Sequence, residues 1–280
     1  MEILRYAAFS ADPAGGNPAG VVLDATGVSD AEMLRVAADV GYSETAFLVP
    51  RGNGRFEVRY FSPMAEVPFC GHATIASAAA WAERHGPGVL YFDTRAGLVE
   101  ASTAVAPDGT TTATLISVEP RIEPIAAGDL VALLEALRWA PGDLDVTLPP
   151  RVAFAGAWHP VVAAVSRQRL ADLDYDMDAL ATLMAQRDWT TINLVWRESL
   201  HLFHARNPFP PGAVVEDPAT GAAAAALGGY LRELGSVVPP ATVTVYQGQD
   251  LGRPSVLTVG IPAEPRAGIA VTGTAVVLAA

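Results

Sequence analysis

Three residues of this chain have the type and setting for acid–base chemistry on a small anion: Glu44, His72 and Asp217. Glu44 sits in GYSETAFLV, just before a strongly apolar run. A carboxylate there is partly desolvated, which suits it to general acid or base work. The alternative is a helix-cap or strand-end glutamate in solvent. His72 follows Gly71 where a helix is expected to start, so its ring reads as a neutral hydrogen-bonding group. The alternative is a capping or buried structural histidine. Asp217 lies in VVEDPATG, before Pro218, and aspartate before proline is held extended and tends to open a turn. It either aims a carboxylate at a site or simply organises its loop. Glu216 could serve as the active carboxylate instead, although adjacent residues seldom point the same way.

The elements around these residues are written twice. Residues 59–81 read RYFSPMAEVPFCGHATIASAAAW and residues 203–231 read FHARNPFPPGAVVEDPATGAAAAALGGYL. Each runs from an aromatic, strand-like entry through a proline-rich turn into an alanine-rich helix. Such an entry aims backbone N–H groups and the positive end of a helix dipole at one spot, a setting for a carboxylate or a developing oxyanion.

The rest of the chain fits the same duplication. Residues 3–10 and 21–24 read as strands joined by the turn ADPAGGNPAG. Residues 30–41 read as a helix with Asp30 as N-cap and a terminal glycine. Residues 44–50 and 56–62 are strands around RGNG, 72–86 a buried helix, and 89–103 and 111–119 hairpins. In the second half, 157–165 answers the first strands, with Pro160 in the place of Pro18. Residues 176–188 are a helix, INLVWRE (192–198) stands for ETAFLVP, and the helix 220–235 stands for 72–86. Residues 123–138 open this half, and the C-terminal GIAVTGTAVVLA is strand-like. The expected domains are 1–120, with the strand 268–280 returning to it, and 121–267.

Bulk composition narrows the function. The 280 residues suffice for two domains of roughly 150 residues each. Apolar content of 51% with charged content of 17% describes an ordered globular protein. The formal net charge of −12 argues against nucleic acid and anionic lipid as partners. All 18 basic residues are arginine. With no lysine there is no Schiff-base chemistry and no P-loop. Neither a signal segment nor a membrane-spanning run is apparent, so the protein is expected in the cytoplasm.

Cys70 is the one cysteine, so no intrachain disulfide forms and a two-thiol racemase is excluded. His72 is two residues away, but an extended turn gives the pair poor geometry, so Cys70 reads as a small buried filler. No metal site is expected. His201 and His204 are the histidines close together, and on a strand they face opposite sides. No GxGxxG opens a βαβ unit, so no nucleotide cofactor is expected either.

Five ordered blocks resemble the phenazine-biosynthesis isomerase-like family: FSADPAGGNPAGVVLD, GYSETAFLV, RYFSPMAEVPFCGHATIASA, EDPATGAAAAALGGYL and YQGQDLGRPS. The resemblance covers nearly the whole chain. It implies a diaminopimelate epimerase-like α+β fold: two pseudo-symmetric domains, each a curved, mostly antiparallel sheet or barrel around a central helix, with the active site in the cleft between. It implies a homodimer and no cofactor. By the same resemblance Glu44 is the acid/base glutamate, His72 and Asp217 are hydrogen-bonding and proton-relay residues, Gly71 and Gly221 offer N–H groups to the substrate carboxylate, and Ser43 contacts the ligand. Cys70 matches one epimerase thiol, whose partner position is read as Ala222. The family's phenazine enzyme has serine where this chain has Ala222, and a missing hydroxyl contact points to a different substrate.

The expectation is a cofactor-independent isomerase that moves a proton between carbons of a small carboxylate, such as a dihydro-hydroxyanthranilate. An epimerase using Glu44 and Asp217 without thiols stays open, as does a non-catalytic carboxylate-binding protein.

Overall fold

Val21, Val22, Phe47 and Leu48 are wholly buried where two parallel strands meet, and β-branched and aromatic side chains of this kind make the core of both halves. The structure is a computed structural model that describes residues 1–212 and 214–279. Ala213, inside the second turn-and-helix block, and Ala280, the end of the C-terminal segment 268–280, lie outside the described residues.

The chain divides into two compact units. The first comprises Met1–Ile116, Arg253–Val256 and the residues from Thr272, and the second Ser117–Gly252 and Leu257–Val271.

The first unit contains β1 (Leu4–Ala8), β2 (Asn17–Val22), α1 (Asp30–Val40), β3 (Glu44–Gly52), β4 (Arg55–Phe61), β5 (Glu66–Val67), α2 (Gly71–His85), β6 (Val89–Thr94), β7 (Gly97–Val105) and β8 (Thr111–Ile116). Strand β2 begins at Asn17, so the last four residues of the expected turn ADPAGGNPAG, NPAG, are strand. The turn is shortened because Arg253 donates to the carbonyls of Gly15 and Gly16 and pins the loop from outside the local sequence. Helix α1 is capped by Ser29, whose hydroxyl accepts from Glu32 N, so Asp30 is its first residue and not its cap. Gly41 ends it in the left-handed conformation, as expected. Helix α2 packs against β1, β2, β3, β7 and β8, and Ala73, Ile75, Ala76, Ala78, Ala79 and Ala80 are inaccessible. Alanine on every face is what a helix enclosed by strands requires.

The second unit contains β9 (Arg121–Pro124), α3 (Ala127–Leu137), β10 (Arg151–Phe154), β11 (Trp158–Ala163), α4 (Arg167–Ala171), α5 (Met177–Arg187), β12 (Asn193–Ser199), β13 (Leu202–Phe209), β14 (Val214–Asp217), α6 (Gly221–Glu233) and β15 (Ala241–Gln247). Strands β16 (Ser255–Ile261) and β17 (Ala270–Val277) each cross the boundary between the units. Helix α6 is the counterpart of α2. Its Gly228 and Gly229 are contact points: a Cβ on Gly228 would stand 2.7 Å from Ile269 and 2.8 Å from Val259, and one on Gly229 2.5 Å from Pro120.

The two units repeat one pairing scheme. In the first, β1 and β2 are antiparallel, β2 and β3 parallel, β3 and β4 antiparallel, β4 and β5 antiparallel, and β4 and β6 parallel. In the second, β10–β11, β11–β12, β12–β13, β13–β14 and β13–β15 follow the same order of directions. Register refines the expected correspondence. Ala19, after Pro18, pairs with Glu44, and Val161, after Pro160, pairs with Asn193. The counterpart of Glu44 is therefore Asn193, one residue beyond the start of INLVWRE. Among the described residues, no helix is long and apolar enough to cross a membrane.

Candidate active site

Glu44 is the first residue of β3, and its ladder partner on β2 is Ala19, a residue without bulk or charge. The side chain is 13% exposed. Its Oε2 lies 3.3 Å from His72 Nε2. Ser43 Oγ lies 3.3 Å from the same nitrogen. The structure thus brings Ser43, Glu44 and His72 together inside the first unit.

Cys70 belongs to this group, against expectation. Its thiol is 3.3 Å from His72 Nδ1 and 3.5 Å from Glu44 Oε2. The expected poor geometry assumed an extended chain from Cys70 to His72. Cys70 is instead the N-cap of α2, and His72 is the second helical residue. Side chains on a helix lean toward its N-terminus, so the ring folds back over the cap. The sulfur is buried among polar neighbours, and Cys70 is not a filler.

The mouth of α2 is fixed from below. Thr74 Oγ1 donates to the Cys70 carbonyl at 2.7 Å, and its remaining lone pairs accept from Tyr60 OH at 2.6 Å. Tyr60 is fully buried on β4, and burial raises the pKa of its phenol, which keeps the donor in place. Cys70 makes no side-chain cap to its own helix, and Gly71 stands at the opening as the first helical residue.

Asp217 is the last residue of β14 in the second unit and is buried. Thr220, the N-cap of α6, donates its hydroxyl to Asp217 Oδ2 at 2.6 Å and does not cap the helix. Gln247 completes the arrangement. Its amide donates to the Asp217 carbonyl at 2.7 Å and to Thr220 Oγ1 at 3.0 Å, and its Oε1 accepts from Thr220 N at 3.1 Å. Gly221 and Ala222 open α6, as Gly71 and His72 open α2. By N-cap position the residue matching Cys70 is therefore Thr220, and Ala222 matches His72, which corrects the expected pairing of Cys70 with Ala222. Neither position carries a second thiol.

Glu216, the alternative carboxylate, is committed elsewhere. It is bound at both oxygens by the Arg206 guanidinium, in a pair whose side chains are 3% and 10% exposed. His204, on β13, bonds Glu198, and His201, just before that strand, donates through Nδ1 to the Thr242 carbonyl. Among the described residues, the metal-capable donors that converge are Glu44, Cys70 and His72, whose ligand atoms lie within 4.8 Å of one another. Histidine spacing does not reveal such a cluster, because it draws on three residue types.

Two residues escaped sequence reasoning. Gln247 and Arg253 lie in YQGQDLGRPS, a block that carried resemblance but no chemistry until the fold gave each a partner. Gln247 braces Asp217 and Thr220, and Arg253 holds the glycine loop before β2.

Two units that each wrap strands around a buried helix define a diaminopimelate epimerase-like α+β protein. The sequence model of the phenazine biosynthesis-like protein family matches residues 6–280. The uncharacterized isomerase YfhB of Bacillus subtilis is 31% identical over 259 residues, covering 90% of this chain and 87% of that protein. The trans-2,3-dihydro-3-hydroxyanthranilate isomerase of Pseudomonas chlororaphis is 32% identical over 253 residues, covering 89% and 86%. A crystal structure of the Bacillus anthracis phenazine biosynthesis protein of the PhzF family superposes with a TM-score of 0.86 at 26% identity, over 100% of this chain and 98% of that one. The chain belongs to the phenazine biosynthesis-like family, and it is an isomerase.

Proposed function

We propose that this isomerase moves a proton between carbons of a small carboxylate substrate without a cofactor, and that Glu44 is its general acid/base. The observation that carries the proposal is the position of Glu44 Oε2: slightly exposed, and 3.3 Å from His72 Nε2. A carboxylate so placed can reach a substrate while its neighbours hold it to one rotamer.

Glu44 takes a proton from carbon and returns one to a second carbon of the same substrate. His72 and Ser43 orient the carboxylate and stabilise charge as it spreads. The substrate carboxylate docks at a helix mouth, near the N–H group of Gly71, and the mouth of α6 at Gly221 offers donors of the same kind. Both mouths lack a side-chain cap from their own N-cap residue, and the Thr220 hydroxyl is turned to Asp217 instead. Asp217, held by Thr220 and Gln247, is the polar group fixed at the corresponding mouth of the second unit.

The duplication supplies no second base at the counterparts of Glu44 and Cys70, which leaves epimerisation to a partner such as Asp217. Glu44 corresponds to Asn193 and Cys70 to Thr220, and neither an amide nor an aliphatic hydroxyl removes a proton from carbon. The relative that acts on trans-2,3-dihydro-3-hydroxyanthranilate supports an unsaturated cyclic amino acid as the substrate class. Ala222, at the opening of α6, supports a substrate lacking one polar group of that compound. A homodimer in the cytoplasm completes the reading.

The test needs no known substrate. A small-metabolite extract is incubated in D2O with the protein or with Glu44→Gln and followed by chromatography and mass spectrometry. A compound that shifts retention at constant composition with the wild type alone is the expected result. If both proteins convert it equally, Glu44 is not the base.

A further inference from the structure

We propose that Glu44, Cys70 and His72 form a binding site for one zinc ion, and that zinc there shuts off the isomerase. The inhibition rests on the reading of Glu44 as the base, whereas the binding does not.

The argument is geometric. A tetrahedral ion held through nitrogen and oxygen at about 2.0 Å and sulfur at about 2.3 Å separates those donors by about 3.3–3.5 Å. Two of the three separations match and the third is 0.2 Å longer: His72 Nε2 to Glu44 Oε2 is 3.3 Å, Cys70 Sγ to Glu44 Oε2 is 3.5 Å, and Cys70 Sγ to His72 Nε2 is 3.7 Å. They outline one face of a tetrahedron, and the fourth corner is left for water or an incoming carboxylate. Three protein ligands with one open position is the pattern of reactive zinc sites. The donor set of thiolate, imidazole and carboxylate favours zinc over magnesium or calcium, which take oxygen ligands.

Charge and access agree. The thiolate and the carboxylate supply two negative charges to a divalent ion, so the bound cluster is neutral in a mostly buried place. The thiol proton that bonds Glu44 is released to solvent as the thiolate binds. The 13% exposure of Glu44 and 7% exposure of His72 give the ion a way in. The supports are already fixed, since the Cys70 backbone is held by Thr74, which is held in turn by Tyr60. Once the ion is bound, the Glu44 oxygen nearest His72 is a ligand and takes no proton from carbon.

The experiment titrates metal-free protein with cobalt(II) alone, then displaces it with zinc. The expected result is one cobalt per chain with a near-ultraviolet thiolate-to-cobalt charge-transfer band, displaced by one equivalent of zinc and not by magnesium. Cys70→Ala and Cys70→Ser lose the band. His72→Ala weakens zinc binding by more than about 100-fold, the upper end of what loss of an outer-shell partner alone costs. Circular dichroism and melting identify any variant that fails to fold, and the paired cysteine variants guard against that outcome. Cobalt bound without the band, or bound equally by the folded variants, overturns the site. In a parallel arm, zinc abolishes substrate conversion and a chelator restores it. A zinc-loaded protein that still turns over keeps the site but overturns Glu44 as the base.

Discussion

Asn193 occupies in the second unit the ladder position that Glu44 occupies in the first: each pairs with the residue after a proline on the neighbouring parallel strand. The same backbone carries a carboxylate in one half and an amide in the other. Glu44 is partly open to solvent, whereas Asn193 is buried and its Nδ2 donates to the Ala223 carbonyl in the first turn of α6. On the proposed reading, one copy serves reaction and the other serves packing.

Exchange of Glu44 and Asn193 chemistry should therefore have opposite effects. Glu44→Gln is expected to lower kcat by about 100- to 10,000-fold, the range of general acid–base catalysis, with the melting temperature nearly unchanged. Asn193→Asp removes a buried donor and is expected to cost about 1–3 kcal/mol of stability. Turnover assays and urea unfolding on both variants check the pair, and a strong loss of stability in Glu44→Gln would contradict the division of roles.

Thr220→Val keeps the shape of the N-cap and removes the hydroxyl that links Asp217 to Gln247. If Asp217 positions substrate, kcat/KM should fall by roughly 10- to 100-fold through misplacement alone. Steady-state kinetics would show it, and an unchanged kcat/KM would reduce this network to a loop brace.

Acid stability should depend on His159. This residue is fully buried, and desolvation pushes its pKa down from 6.5 to about 4. Its Nδ1 stands 2.9 Å from Thr191 Oγ1, which donates to Asn207 Oδ1, so the neutral ring is the donor to Thr191. A folded pKa below the unfolded one means that the unfolded chain binds the extra proton. The stability from this residue is thus complete above pH 6.5 and is lost as pH falls from 6.5 toward 4. The loss between pH 7 and pH 5 is expected to be about 2 kcal/mol. Urea unfolding of the wild type and His159→Gln at both values measures it, and equal slopes in the two proteins would refute the assignment.

Arg206 and Glu216 offer a test free of catalysis. Arg206→Met alone strands a buried carboxylate and should destabilise by about 3–5 kcal/mol. The double variant with Glu216→Leu should recover most of that loss. Thermal melting distinguishes the two, and a double variant as unstable as the single would mean that the guanidinium bond to the Ala171 carbonyl dominates.

Much of this architecture is written locally. Gly41 and Gly86 mark helix ends through their own backbone preferences, and the apolar runs around Val21 and Phe47 mark strands, whereas the cap of α1 falls on Ser29 and not on Asp30 beside it. The alanine-rich helices announce burial because no face is polar. What the chain conceals is contact at a distance. Arg253 meets Gly15 and Gly16 from far along the sequence, and Gln247 meets Asp217 across a helix and a strand. The Cys70–His72 contact was concealed at short range for another reason. Whether two residues apart means far or near depended on where the helix began, and one residue of boundary turned a spacer into a cluster. Asn193 was misread by one position because periodic apolar runs reveal a strand but not its register.

Strand β1 pairs with β17 through Tyr6 and Val277, Ala7 and Val276, and Ala8 and Ala275. The chain therefore leaves its first unit, builds the second, and returns to finish what it began. During synthesis on a ribosome, the hydrophobic strand around Tyr6 emerges early and waits for its neighbour until the second unit has been made. An unfinished sheet edge invites association with other chains. A nascent molecule halted before Ala270 thus carries nearly all of the second unit and a first unit whose β1 still lacks its last partner. Pairing of β17 with β1 is the step that closes that edge.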